Sequence, residues 1–129
     1  MRVDTQEERL TVKDGITYSA LTKRALALPD VEASTSYGTP ALKVRGKLML
    51  RLKEDGETVV LRCSWEQRER LLTLYPQAYF LTDHYRAYPW VLLRLAAAPS
   101  ASVDPALRRA WCLVAPKSLL AKHPELTQD

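Results

Sequence analysis

Between Glu32 and Glu54 the chain carries no acidic residue but five basic ones, Lys43, Arg45, Lys47, Arg51 and Lys53. A Lys or Arg that meets a phosphate displaces condensed counterions, so such a run on one face can follow a nucleic-acid backbone. Arg62 joins it from a later strand. The competing reading is a solvated sheet face, which needs long charged side chains for solubility alone. A second cluster is aromatic: Tyr79, Phe80, Tyr85, Tyr88 and Trp90 lie among His84, Arg86 and Arg94. Rings beside arginines can stack on bases or grip a flat ligand. They can equally pin a long loop to the core with their phenol and indole groups hydrogen-bonded. Tyr85 and Arg86, near the tip of that loop, are the candidates for ligand contact.

Catalytic chemistry has a thinner basis. His84 follows Asp83, as a base follows an orienting carboxylate, and Ser34, Ser36 or Tyr37 could meet it in space. Adjacent residues seldom point to one place, however, and no nucleophile-elbow sequence is present. No catalytic residue is assigned. The two histidines, His84 and His123, have no paired spacing, so no metal site is expected. Cys63 and Cys112 stand alone in apolar surroundings and read as buried thiols. Gly46 and Gly56 are isolated turn glycines, which leaves no phosphate-cradling loop. No cofactor is expected.

These residues must be positioned by strands and helices that the pattern also declares. Leu42 and Val44 alternate with Lys43 and Arg45; Leu48, Leu50 and Leu52 alternate with Lys47, Met49, Arg51 and Lys53; Val59, Leu61 and Cys63 follow the Asp55-Gly56 turn. This predicts a three-stranded meander in which Leu52 faces Val59, Leu50 faces Leu61 and Leu48 faces Cys63, with Val44 facing Leu48 across the earlier turn at Arg45-Gly46-Lys47. Residues 31–40 read as a loop with at most a short strand. Helices are expected over 17–28, from a Ser64/Gln67 capping box to Tyr75, and from Asp104-Pro105 through a stripe of Leu107, Ala110, Trp111 and Val114. Short strands are expected over 79–82 and 91–96.

The 129 residues suit one domain, with residues 1–16 as a lead-in, 17–122 as its body and 123–129 as a tail. Hydrophobic residues at 47% and charged residues at 26% are ordinary for a globular protein. No apolar run approaches the roughly 20 residues of a membrane span. The first 16 residues lack the apolar core of a secretory signal, so no membrane partner and a cytoplasmic location are expected. A formal net charge of +4 favours anionic partners.

Three segments also resemble a known family. Leu28-Pro29-Asp30-Val31-Glu32 with Ser36-Tyr37-Gly38-Thr39-Pro40-Ala41 and Lys43-Val44-Arg45-Gly46-Lys47 is similar to the opening of the MmcQ/YjbR family. Thr82 through His84-Tyr85-Arg86, with Tyr88-Pro89-Trp90-Val91, resembles its second signature. Trp111 with Leu113-Val114-Ala115-Pro116-Lys117 resembles its C-terminal helix. The resemblance spans about residues 18–120 and implies an α+β fold, an antiparallel sheet with helices packed on it. Members of that family have been compared with a double-wing DNA-binding domain, a warrant from fold alone. The leading expectation is therefore a non-enzymatic nucleic-acid-binding or regulatory module, with DNA as its partner. Its contacts would be Lys43, Arg45, Lys47, Arg51, Arg62, Tyr85 and Arg86. The alternative is a small-molecule or peptide-binding domain with a pocket between the sheet and the aromatic loop. A monomer is favoured.

Overall fold

Apolar alternation on both sides of Asp55-Gly56 sets the centre of the sheet. In the computed structural model, which describes residues 14–128, β3 (Lys47–Leu52) and β4 (Thr58–Arg62) form that hairpin. Leu50 faces Leu61 and Leu52 faces Val59, as the pattern requires. The connection is tied by Lys53 N–H donating to Thr58 O and by Asp55 Oδ1, which accepts from the amides of Glu57 and Thr58.

Upstream, the expected loop over 31–40 is instead a second hairpin of β1 (Val31–Ser36) and β2 (Thr39–Val44), turned at Tyr37-Gly38. Its Ser and Thr residues read as loop composition, yet they suit an edge strand that is largely exposed. The next turn is Arg45-Gly46 alone, so Val44 faces Lys47 rather than Leu48. Both pairs have left-handed backbone, with φ of 53° and 79° at Tyr37 and Gly38 and 48° and 87° at Arg45 and Gly46. Two left-handed central residues give the turn whose twist matches that of the strands.

A bulge then alters the expected face of two residues. Leu42 faces Leu50 but Lys43 faces Leu48, so β3 carries one extra residue, Met49. An extra residue inverts the alternation beyond it. Leu48, expected in the core, lies on the other side of the sheet, and Met49, expected outside, is fully buried.

The six strands are antiparallel in the order β1-β2-β3-β4-β6-β5, with β5 at Tyr79–Phe80 and β6 at Trp90–Arg94. One face packs on helices. Leu21 and Ala25 of α1 (Tyr18–Leu26), Leu71 of α2 (Trp65–Leu74), and Val103, Leu107, Ala110 and Trp111 of α3 (Ser100–Val114) meet Leu42, Leu50, Leu61, Val91 and Leu93. This is the α+β architecture expected. Ser64 caps α2 by accepting the Gln67 N–H at 3.0 Å. The last long helix begins at Ser100, not at Asp104-Pro105; Pro105 sits within it at an exposed position, where the hydrogen bond it forgoes is replaced by solvent. After Pro116 the chain resumes as α4 (Lys117–Lys122). Residues 1–13 of the lead-in and Asp129 of the tail lie outside the described residues. Gly15 N–H donates to Ala98 O at 2.7 Å, which fixes the end of the lead-in to the body.

Candidate functional site

The face of the sheet away from the helices carries a row running across the strands: Ser34, Ala41, Arg51, Val60, Leu92 and Phe80 are successive partners. Opposed residues share a face. Arg51 is thus the one charged member of a row that is apolar from Ala41 to Phe80, and it is only 8% exposed. Residues 81–89 cross this face as the aromatic loop, with a single 3-10 turn at Asp83–Tyr85. Loop and sheet enclose a cleft of about 530 Å³, lined by Tyr37, Leu48, Arg51, Tyr85, Tyr88 and Trp90, among others.

Arg51 is anchored from several sides. Its Nη1 donates to Thr39 Oγ1 (3.3 Å) and Leu52 O (3.4 Å), and its Nη2 donates to Tyr85 Oη (3.3 Å). The guanidinium carbon lies 5.2 Å from the ring centroid of Tyr37, within cation–π range. The nearest carboxylate, Glu54, is 3.7 Å away and largely exposed. Among the described residues Arg51 Nε has no hydrogen-bond partner.

The loop's carbonyls are gathered by a residue that no motif in the sequence marks. Arg68 of α2 is 7% exposed and donates from Nη1 to Tyr88 O at 2.8 Å and from Nη2 to Arg86 O at 3.0 Å. Longer contacts reach Tyr85 O and Trp90 O, both at 3.4 Å. A loop with little regular structure exposes carbonyls in several directions, and a planar fork of five donors can gather them. Trp65 lies 4.8 Å over the same guanidinium. The available signal was an arginine on the helix stripe that also buries Leu71, but its partners are carbonyls, which no sequence pattern marks.

The expected contact residues differ in how they are engaged. Arg45 Nε is held by Asp30 Oδ2 at 2.8 Å. Arg62 turns back onto the Cys63 and Pro89 carbonyls at 2.8 and 3.5 Å. Arg51 lies beneath the loop. Lys47 is exposed and Lys43 half-buried, opposite Glu32. Tyr85 belongs to the cleft, whereas Arg86 points to the exposed carboxylate of Asp83 at 3.5 Å. Tyr85, Tyr88 and Trp90 therefore converge with Arg51, and Lys43, opposite Leu48, and Arg62, opposite Trp90, lie on that same face of the sheet.

His84 lies at the mouth of the cleft with its ring edge-on to Tyr85, centroids 4.7 Å apart. Its neighbour Asp83 is engaged by Arg86 instead. Burial pushes the Cys63 thiol up to about 11, against the weaker pull of Arg68 and Arg62, so it stays protonated at neutral pH. Among the described residues no cluster of three His, Cys, Asp or Glu side chains could hold a metal ion, and no helix is long and apolar enough to cross a membrane.

A family model described as YjbR matches residues 26–113, from the end of α1 into α3. The chain belongs to the YjbR family. Within the matched span lie both hairpins, Arg51, Arg68 and the whole aromatic loop. Uncharacterized proteins of Mycobacterium tuberculosis (Rv2570) and Mycobacterium bovis (Mb2600) are each 36% identical over 67 residues. Those matches cover 51% of this chain and 52% of each relative, so the chain spans about half the length of the curated relatives it matches. The crystal structure of Deinococcus radiodurans protein DR2400, with a DUF419 family-model domain, superposes with a TM-score of 0.66. That match covers 88% of this chain and 89% of the other at 22% identity, a likeness of fold. The YjbR fold thus positions the cleft; its occupant has to be argued from the side chains.

Proposed function

We propose that this YjbR-family chain is a binding module without chemistry of its own, which takes a small flat molecule in the cleft between sheet and aromatic loop. The observation that carries this reading is Arg51, a charge buried in an apolar row beneath an open, aromatic-walled cleft. Between Ala41 and Val60 a leucine would satisfy packing, whereas a guanidinium must be desolvated and its exposed partner Glu54 returns little. A residue that opposes local stability at a concave site supports a functional role. The volume of about 530 Å³ falls among known ligand sites. Tyr37 adds support: a tyrosine in left-handed backbone is strained, and this one is 83% exposed at the rim.

The nucleic-acid expectation has less support, because Arg45, Arg51 and Arg62 are each engaged within the fold. The test is an amide-resolved NMR titration with 2-naphthol as a neutral flat probe. Shifts should concentrate at Arg51, Tyr85, Tyr88 and Trp90, and Tyr85→Ala should weaken them. Shifts spread over the surface, or none, would remove the cleft reading. A steeply salt-dependent affinity for duplex DNA, lost in a Lys43→Ala/Lys47→Ala variant, would put a phosphate-tracking surface in its place.

A further inference from the structure

The side chains of the cleft also bear on the charge of what it holds, an inference that rests on the cleft being a binding site. We infer that the occupant is a planar aromatic monoanion, with a carboxylate seated on Arg51 and its ring against the tyrosines. Three donors remain for that carboxylate. Arg51 Nε has no partner among the described residues, and Nη2 makes one long bond of 3.3 Å. The Tyr85 hydroxyl accepts that bond, so its own proton is left to donate. Nε and Nη2 form the side-on edge of a guanidinium, which pairs with the two oxygens of a carboxylate. Tyr37 and Tyr88, 83% and 55% exposed, present ring surface beside this anchor.

The local charges select the valence. Lys53 Nζ lies 6.0 Å from the Tyr85 ring centroid, and Glu54 lies 3.7 Å from the Arg51 guanidinium. Among these three groups two cations against one carboxylate leave a single positive charge, which one negative charge neutralises. A phosphate dianion would bring one negative charge more than these groups neutralise, with Glu54 on the same guanidinium to repel it. Glu54 thus disfavours dianions while contributing little to the fold, being exposed at the edge of the cleft.

The experiment is calorimetric titration of the full chain with 2-naphthoate, 2-naphthol and 2-naphthyl phosphate. The naphthoate should bind at least tenfold tighter than naphthol. Arg51→Met should erase that advantage, with a cooperative urea transition showing the variant to be folded. Glu54→Gln should tighten naphthyl phosphate by several-fold more than naphthoate. Equal affinity for naphthoate and naphthol, unchanged by Arg51→Met, would overturn the monoanion and leave the cleft reading standing. Phosphate binding tighter than naphthoate in the parent would overturn it in favour of a dianion. No binding of any of the three would remove both.

Discussion

Removing the Arg68 guanidinium tests how the cleft is held open. Arg68→Met keeps the aliphatic stem and deletes the fork that joins α2 to the carbonyls of Arg86 and Tyr88. Those two short bonds, each from a charged donor, are together worth about 3–6 kcal/mol. Some of that returns on mutation. No carboxylate pairs with Arg68 among the described residues, and its buried Nε has no partner, so a desolvation cost disappears with the charge. The freed carbonyls belong to a surface loop and reach water once it shifts. A net loss of about 2–4 kcal/mol follows, which for a domain of this size lowers the melting temperature by roughly 6–12 °C. Urea unfolding measures the loss. Hydrogen exchange locates it: the Trp90 and Tyr88 amides, bonded to Tyr88 O and Tyr85 O, should lose protection before those of β3 and β4. An Arg68→Met variant that melts within about 1 °C of the parent, with the loop amides as protected as before, would refute the reasoning.

Met49→Ala should cost about 2–5 kcal/mol and Leu48→Ala about 1 kcal/mol or less, because the bulge buries the former and leaves the latter on the cleft; reversed values in urea unfolding would mean an unbulged strand. Leu61→Ala, in the centre of the core, should lose about 2–5 kcal/mol. Tyr37→Asn should stabilise the fold by roughly 0.5–1 kcal/mol, since Asn tolerates left-handed backbone, while weakening the binding of 2-naphthoate. Folding holds Cys63 protonated, its value raised to about 11, so the unfolded chain releases that proton first as pH rises. Stability should then be fully present below about pH 9 and decline towards pH 11, with burial raising Tyr18 and Tyr79 in the same sense; a urea midpoint unchanged between pH 8 and pH 10.5 would contradict this.

The parts legible in the sequence were those written in short-range chemistry. Asp55-Gly56 between alternating runs gave the central register, Ser64 gave a helix start, and the stripe through Trp111 gave the helix that covers the sheet. The bulge was not legible, because Leu48-Met49-Leu50 offers three apolar residues in succession and nothing local says which one is extra. The β1–β2 hairpin was hidden by Ser and Thr, and by a turn that uses a tyrosine where glycine or asparagine would be expected. Alternation correctly set Arg51 opposite the leucine face. It could not show that the aromatic loop folds over that face and converts an apparent solvent contact into the floor of a cleft. That conversion depends on Arg68, which acts through main-chain atoms.

The same feature bears on which substitutions the loop can absorb. A clamp that reads only carbonyl oxygens is indifferent to the side chains attached to them. Arg86 and Tyr88 can therefore be exchanged without loosening the grip on Arg68, provided the backbone path is kept. The loop becomes a frame of fixed outline with interchangeable lining.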